Sequence, residues 1–243
     1  AEVIESKNAR FKEGDIVTGM FGWRTHIISD GAGVRKIDPT IAPISTAIGI
    51  LGMPGMTAYV GLLDIGEPKA GDTLVVSAAS GAVGAVVGQI GKLKGCKVVG
   101  VAGSQEKCDY VVNELGFDHC LSHLSDDLES ELANVCKDGV DVYFENVGGK
   151  VFEAVLPLVN SFARIPVCGL ISRYSHVGDF PGPNLLPKLT RSILTNRLKL
   201  QGFIITERWD RFPEFEKDMS SWIKSGEIAV SYTHLTLPTI NWV

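Results

Sequence analysis

The sequence predicts an α/β protein built around a doubly wound parallel sheet. From residue 73 onward, short apolar segments alternate with longer segments of helical periodicity, and a glycine-rich turn follows the first apolar segment. Strands that alternate with helices in this way pair in parallel, because each helix returns the chain to the same end of the sheet. The composition, 45% hydrophobic and 21% charged among 243 residues, is that of a globular protein rather than a disordered chain.

The first part of the chain is predicted to be β-rich and then helical. Residues 14–19 and 25–29 each have the composition of a short strand. The apolar spacing after Pro43 predicts a helix, and a second helix is expected over residues 54–64, with proline in its first turn. Because two short strands are marginal by themselves, we expect residues 1–42 to be the remnant of a β-rich domain.

The alternating region supplies the strands and helices of the predicted sheet. The predicted strands are residues 73–77, 97–102, 119–121, 141–145, 163–168 and 200–205. The predicted helices are residues 82–94, 105–115, 126–136, 150–158, 188–196 and 212–225, and residues 169–187 are predicted to be a long loop. Six parallel strands connected by helices match the dinucleotide-binding (Rossmann) fold, so residues 43–228 are expected to form one such domain. Residues 229–243 do not continue the pattern and have no predicted element.

Charge, hydropathy and cysteine spacing narrow the functional class. The net charge of −5 and the lack of a long basic run give no indication of nucleic-acid binding. No uninterrupted apolar stretch is long enough to span a bilayer, and the polar first residues do not form a signal peptide, so we expect a cytoplasmic protein without a membrane partner. The five cysteines form no C-x-x-C pair and no zinc-type cluster, which predicts reduced, mostly buried thiols and no metal site.

A phosphate-binding turn is predicted directly after the first strand of the sheet. Residues 78–84 read AASGAVG, an A-x-G-x-x-G pattern placed between a strand and a helix. Gly81 would let the backbone approach a pyrophosphate, whereas Gly84 and Gly88 would let the helix pack closely on the strand. With Ala82 and Val83, these residues open the helix whose free amides and positive dipole end favour phosphate.

The end of the second strand predicts the type of nucleotide. In NAD-selective sites an acidic residue stands there and binds the ribose 2′-hydroxyl, but this chain has Gly103 and Ser104 at that place. Lys107 follows in the first turn of the next helix, where the helix dipole disfavours a lysine unless an anion is bound nearby. We therefore predict binding of NADP(H), with Ser104 and Lys107 near the 2′-phosphate.

Four motifs in order carry a family resemblance. They are residues 52–59 (GMPGMTAY), 78–84 (AASGAVG), 146–149 (NVGG) and 168–174 (CGLISRY). Together they resemble the zinc-independent medium-chain reductases of the leukotriene B4 12-hydroxydehydrogenase/prostaglandin reductase group, and most of all its bacterial NADPH-dependent curcumin reductase branch. The resemblance implies a Rossmann domain beside a GroES-like β-rich domain, of which only the tail is expected here. It also implies a homodimer, joined through the edge of the Rossmann sheet.

The resemblance implies further cofactor-binding residues. They include His123, where the prostaglandin reductases often have a tyrosine near the 2′-phosphate, and Asn146, near the ribose or diphosphate. The others implied to contact the cofactor are Met53, Thr57, Cys168, Gly169, Leu170, Ile171, Ser172, Phe203, Ile204 and Ile205. Cys168 is expected to pack beside the cofactor rather than act as a nucleophile.

Tyr174 is the residue implied to act in the chemistry. Hydride transfer to the β-carbon of a conjugated carbonyl leaves negative charge on the oxygen, which a phenol can stabilise or protonate. The implied reaction is therefore metal-independent reduction of a carbon–carbon double bond in an α,β-unsaturated ketone or aldehyde, with that small molecule as the partner.

Three other classes of protein share part of this pattern. A quinone reductase of the same superfamily would share the glycine turn but would not need the 168–174 motif. A non-catalytic module would bind NADP(H) without turnover. A methyltransferase would require an acidic residue at the end of the second strand, and Gly103 with Ser104 argues against it.

Overall fold

The computed structural model describes residues 1–175, 177–178 and 184–230. The strands of this part of the chain are β1 (Val17–Thr18), β2 (Arg35–Lys36), β3 (Thr73–Ser77), β4 (Lys97–Ala102), β5 (His119–Ser122), β6 (Val140–Phe144), β7 (Val159–Val167) and β8 (Lys199–Gly202). Its α-helices are α1 (Met53–Val60), α2 (Gly84–Leu93), α3 (Gln105–Asn113), α4 (Leu128–Val135), α5 (Gly149–Val155), α6 (Leu186–Asn196) and α7 (Phe212–Ser225).

Six of the strands form one parallel sheet. Their order across it is β5-β4-β3-β6-β7-β8, and every neighbouring pair is parallel. Counted from β3, this is the 3-2-1-4-5-6 order of a dinucleotide-binding sheet. The predicted fold class is therefore confirmed. The order reverses between β3 and β6, and the crevice beyond the carboxyl ends of these two strands is where such sheets bind their ligands.

Alternate residues of the central strands pack into two separate layers of core. Leu74 and Val76 of β3 belong to one cluster with α1, α2 and α7, whereas Val75 belongs to a second cluster with α4 and α5. Side chains of a strand point to opposite faces in turn, and a parallel sheet has helices on both. Both clusters consist of buried residues, so the sheet gives a rigid base to the loops at its carboxyl end.

Several predicted elements before residue 73 differ from the structure. Residues 25–29 form no strand, and β1 pairs instead with β2, which the sequence had not indicated. Ile28 is fully exposed, so a β-type composition there lacks the partner strand that would stabilise it. The segment after Pro43 is a 3-10 helix, Ile44–Ile48, rather than an α-helix. The chain then turns sharply at Gly52. It passes so close to Ala47 that a Cβ on Gly52 would lie 2.4 Å from the Ala47 carbonyl oxygen.

The later elements agree with the predictions in type and differ mainly at their ends. Helix α1 is shorter than expected and continues as a π-helix, Gly61–Gly66. Strand β7 begins at Val159, earlier than predicted, with an irregular register against β6. Within the predicted 169–187 loop there is a 3-10 helix, Ile171–Arg173, whereas residues 176 and 179–183 lie outside the described part of the chain.

The end of the described chain contacts α2. Ala229 donates its backbone N–H to Gln89 Oε1 at 2.7 Å. Residues 231–243 of the unassigned tail lie outside the described part. In the residues described, no helix combines the length and apolar character needed to cross a membrane.

Candidate functional site

The glycine turn, residues 78–84, joins β3 to α2 at the reversal point of the sheet. A Cβ on Gly84 would lie 2.3 Å from the carbonyl oxygen of Ala78, and one on Gly88 would lie 1.8 Å from Phe117 Cζ. Both positions therefore exclude a side chain, as the sequence indicated for close packing. A Cβ on Gly81 would also be tight, 3.0 Å from the same Ala78 oxygen.

The start of α2 presents backbone amides without a side-chain cap. Gly84 is the first residue of the helix and Val83 is its N-cap, two positions after the predicted start at Ala82. Ala85 N donates to the Gly81 carbonyl at 2.9 Å and Val86 N to the Val83 carbonyl at 3.1 Å, and the first turn carries the positive end of the helix dipole. This end of α2 has the electrostatic character that a phosphate requires.

Two basic side chains lie beside Gly103 at the end of β4. A Cβ built on Gly103 would lie 3.5 Å from His123 Nε2 and 3.9 Å from Lys107 Nζ. His123 is held there because its backbone N–H donates to the Ala102 carbonyl at 2.9 Å. Ser104 is the N-cap of α3, and its Oγ accepts from the backbone N–H of Lys107 at 3.3 Å. The fold thus brings together three predicted 2′-phosphate residues from two separate segments.

Glu145 is buried where β6 ends, and the sequence predictions assigned it no role. Its side chain is 0% exposed. Its Oε1 accepts from Val147 N at 2.6 Å, from Gly148 N at 2.9 Å and from Ser77 Oγ at 3.0 Å. Its Oε2 accepts from Tyr143 Oη at 2.8 Å. Full burial, together with the nearby charge of Glu145, holds the pKa of Tyr143 well above its usual value.

Asn146 follows Glu145 and ties β6 to β3. Its backbone N–H donates to Ser77 Oγ at 2.7 Å, and its side-chain Nδ2 donates to the Ser77 carbonyl at 2.8 Å. This places Asn146 in the crevice between the two central strands, as expected of a cofactor-binding residue, although its contact with a cofactor stays a prediction.

The segments 145–149 and 168–174, called the paired loops below, are joined by hydrogen bonds. Ile171 N donates to the Asn146 carbonyl at 3.1 Å, and Ser172 N donates to the Val147 carbonyl at 3.1 Å. Ser172 Oγ donates to the same Val147 oxygen at 2.5 Å. The predicted cofactor segment after β7 therefore rests directly on the turn after β6.

Tyr174 ends the second of the paired loops and is 68% exposed. Its Oη accepts from the backbone N–H of Leu170 at 3.1 Å. A Cβ on Gly169 would lie 2.9 Å from this oxygen, so the absence of a side chain at Gly169 makes room for the phenol. The Oη–H remains able to donate to another acceptor.

Cys168 lies at the base of the second loop and packs against the core. Burial, together with the nearby charge of Glu145, raises the pKa of its thiol to about 11. Because the thiolate is the reactive form, this environment agrees with a packing role. All five cysteines are free, and Cys96, Cys108 and Cys136 are buried.

The remaining predicted residues lie on α1 and after β8. Phe203 directs its side chain inward, since a Cβ on Gly61 would meet Phe203 Cζ at 2.6 Å. Ile204 is exposed and Ile205 is buried. On α1, Met53 is exposed, and Thr57 donates its hydroxyl hydrogen to the Met53 carbonyl at 2.7 Å. Their contacts with a cofactor remain predictions.

One sequence signal could have identified Glu145. It stands at the end of the run VDVYFE, in which the preceding strand residues are mostly apolar, and a carboxylate that ends a buried strand needs hydrogen-bond donors. Within the described ranges, no three His, Cys, Asp or Glu side chains are grouped as metal ligands would be.

Family models match both parts of the chain. The model described as zinc-binding dehydrogenase matches residues 82–224, and the model described as N-terminal domain of oxidoreductase matches residues 1–37.

Curated relatives align over nearly the whole chain. The NADPH-dependent curcumin reductase of Escherichia coli (strain K12) is 53% identical over 229 residues, which are 94% of this chain and 66% of the relative. Prostaglandin reductase 1 of Rattus norvegicus is 46% identical over 234 residues, covering 94% of this chain and 69% of its own length. This chain therefore spans about two thirds of the length of these relatives.

A solved structure supports the same likeness. CurA of Vibrio vulnificus in complex with NADPH is 50% identical, with a TM-score of 0.87, and the match covers 93% of this chain and 68% of that one.

Proposed function

Because this chain belongs to the zinc-binding dehydrogenase family, and within it to the group of the curcumin and prostaglandin reductases, we propose that it is the cofactor-binding part of an NADPH-dependent reductase. The proposed reaction is reduction of the carbon–carbon double bond of an α,β-unsaturated ketone or aldehyde, without a metal. The observation that carries the proposal is the pair Lys107 and His123 beside Gly103, at the carboxyl end of a Rossmann sheet.

The described residues fit NADP(H). The glycine turn brings the backbone close to the start of α2, where the positive end of the helix dipole would favour a pyrophosphate. Gly103 and Ser104, at the end of β4, carry no carboxylate to repel a 2′-phosphate, and Lys107 Nζ would lie 3.9 Å from a Cβ on Gly103. A similar protein, CurA of Vibrio vulnificus, was solved in complex with NADPH.

When bound, NADPH supplies the hydride for the reaction. The paired loops would form one wall of the nicotinamide pocket, with Cys168 and Leu170 excluding water. The Tyr174 phenol would donate a hydrogen bond to the carbonyl oxygen of the substrate, which becomes negative as the β-carbon is reduced, and would then supply a proton to that oxygen. The resulting enol would tautomerise to the saturated ketone or aldehyde, with the α-carbon taking a proton from solvent. A conjugated carbonyl polarised in this way needs no Lewis acid.

The test is an activity assay on the chain extended to the length of its relatives. We expect NADPH oxidation with enones and alkenals, and Tyr174→Phe should lower kcat about 100-fold, as loss of a general acid does. Tyr110→Phe, on the outer helix α3, is the matched control and should retain activity. Turnover of quinones but not of enones would instead place the protein among quinone reductases, and NADPH binding without any turnover would indicate a non-catalytic module.

We also propose a cytoplasmic homodimer joined through β8. This strand is at the edge of the sheet and all four of its residues are exposed. An edge strand has unpaired backbone donors and acceptors that a second copy can satisfy. Light scattering on the extended chain should give the mass of a dimer, and a monomer that persists at high concentration would contradict this part of the proposal.

A further inference from the structure

We propose that Glu145 is the positioning residue of the candidate active site, acting on Tyr174 through the paired loops. The proposal rests on the proposed function, in which Tyr174 meets the substrate. Glu145 itself is fully buried, so it has no exposed surface with which to meet a substrate.

The Glu145 carboxylate is held by hydroxyl groups of two neighbouring strands. Ser77 Oγ and Tyr143 Oη, from β3 and β6, each donate to one of its oxygens, at 3.0 and 2.8 Å. A buried carboxylate is expensive to desolvate unless donors surround it. These two hydroxyls fix the acceptor at the reversal point of the sheet, facing the turn that follows.

The turn after β6 is bound to the Glu145 carboxylate. Glu145 Oε1 accepts from the backbone N–H groups of Val147 and Gly148, at 2.6 and 2.9 Å. The turn then passes through Gly148 and Gly149 in the left-handed conformation, with φ of 74° and 56°. Hydrogen bonds to an ionised acceptor are stronger than neutral ones, so the carboxylate holds the turn in this shape.

The loop after β7 is bound to Glu145 and to the turn after β6. The carbonyl oxygen of Glu145 accepts from Cys168 N at 2.8 Å and from Gly169 N at 3.1 Å. The turn in its fixed shape then presents the carbonyls of Asn146 and Val147, which accept from Ile171 N and Ser172 N. One end of this loop is therefore bound by Glu145 itself, and the other by the turn that the Glu145 carboxylate holds.

The Tyr174 hydroxyl is bound by the same loop. Leu170 N, between these anchored amides, donates to Tyr174 Oη at 3.1 Å. A shift of the turn would move Leu170 and, with it, the hydroxyl expected to meet the carbonyl of the substrate. Misplacement of a reacting group by about 1 Å can reduce a rate about 100-fold.

The test compares Glu145→Gln, which keeps the shape but removes the charge, with Gln89→Leu, which removes a buried acceptor on α2 whose donor is Ala229. In this chain we expect amide hydrogen exchange of Ile171 and Ser172 to become at least about tenfold faster in Glu145→Gln, because their acceptors lie on the released turn. Exchange in β3 and β4 should not change. Gln89→Leu should leave the paired loops as they are. Exchange of Ile171 and Ser172 at the native rate in Glu145→Gln would overturn the proposal.

A double-mutant cycle in the extended chain then separates positioning from a general structural role. Glu145→Gln should lower kcat about tenfold or more while the Kd of NADPH changes less than about threefold, because the phosphate contacts lie at β3 and β4. In a Tyr174→Phe background, Glu145→Gln should cost no further activity. Losses that multiply would show that Glu145 acts independently of Tyr174 and would overturn the proposal.

Two outcomes, an unfolded Glu145→Gln variant and an inactive extended chain, still leave the proposal testable. If Glu145→Gln does not fold, Glu145→Asp retains the charge but shortens the reach by one methylene, and the same faster exchange at Ile171 and Ser172 is expected. If the extended chain reduces no enone, the proposed function fails, whereas the exchange measurement still decides whether Glu145 sets the paired loops.

Discussion

The glycine turn and the paired loops follow neighbouring strands of one sheet, but different forces hold them. The glycine turn is fixed by shape, since side chains at Gly84 or Gly88 would overlap backbone or a buried ring. The paired loops are fixed by hydrogen bonds that begin at one buried carboxylate and end at Tyr174, which is largely exposed.

The difference corresponds to the roles proposed for the two regions, cofactor binding for the glycine turn and catalysis for the paired loops. The phosphates of a cofactor need a fixed set of amides, and close packing allows few alternative arrangements. A loop that meets substrate and lets product leave must open, and exposed loops with few buried apolar contacts open at low free energy. We therefore expect changes in the glycine turn to affect cofactor binding most, and changes in the paired loops to affect catalysis more than binding.

The largest effect is expected from Gly84→Ala. The new Cβ would lie 2.3 Å from a backbone oxygen that cannot move without displacing the turn. Overpacking of this kind costs about 1–3 kcal/mol of unfolding free energy, and we expect NADPH affinity to fall about 100-fold. Nicotinamide fluorescence titration and urea unfolding measure the two effects. Gly202→Ala is the control, because a Cβ there meets nothing within 4 Å. Equal affinities for the two variants would refute the shape argument.

Lys107→Glu should give the next largest effect. A charge-assisted hydrogen bond contributes about 1.5–3 kcal/mol, so NADPH should bind about 10- to 100-fold more weakly, whereas NADH, which lacks the 2′-phosphate, should change little. The same titration with both nucleotides measures this. Lys217→Glu, exposed on α7, makes the same change in net charge and should leave both affinities unaltered. Parallel loss of NADPH and NADH binding would remove Lys107 from the 2′-phosphate site.

Ser172→Ala tests the junction of the paired loops with a smaller change. It removes the hydrogen bond from Ser172 Oγ to the Val147 carbonyl but leaves the backbone bond to the same oxygen. The loss of one such bond costs about 1 kcal/mol, or about fivefold in an opening equilibrium. Amide exchange of residues 170–174 should accelerate by about that factor, with NADPH affinity nearly constant. Thr195→Ala, which removes a similar bond on α6, should leave exchange in this loop unchanged. An unaltered loop in Ser172→Ala would show that the backbone bonds suffice.

Alkylation of Cys168 should show the smallest effect. Burial raises the pKa of this thiol to about 11, so only about one thiol in a thousand is ionised at pH 8. Iodoacetamide should label Cys168 slowly in the folded chain, with a rate that rises as the pH approaches 11, and rapidly after unfolding. Peptide mass spectrometry resolves it from the other cysteines. Rapid labelling of folded protein at pH 7 would indicate a reactive thiol and contradict the packing role.

The glycine turn could be predicted from sequence because its determinants are local. The A-x-G-x-x-G pattern stands between a strand and a helix, and the helix can begin there only if the close approaches at Gly84 and Gly88 are free of side chains. The positions of Lys107 and Ser104 were also predictable, because both stand within a few residues of the end of β4. The fold class followed from alternation, since parallel strands joined by helices have few allowed arrangements.

Glu145 and the first 42 residues were less predictable, because their environment depends on distant segments. Residues 25–29 have a β-type composition but no partner strand, whereas Arg35 and Lys36 form a strand by pairing with Val17 and Thr18. The role of Glu145 depends on Ser77, 68 residues earlier along the chain, and on the loop after β7. A carboxylate that ends an apolar strand can be recognised in the sequence, but the distant donors that surround it, such as Ser77, cannot.

The sequence by itself determined the alternation of strands and helices, the glycine turn and the absence of a carboxylate at the end of β4, because each depends on residues adjacent in the chain. Only the tertiary structure decided that His123 joins Lys107 beside Gly103, that Glu145 is buried, and that the loop of Tyr174 rests on the turn after β6. The reason is that the carboxyl ends of parallel strands converge at one edge of the sheet, so residues far apart in sequence meet there.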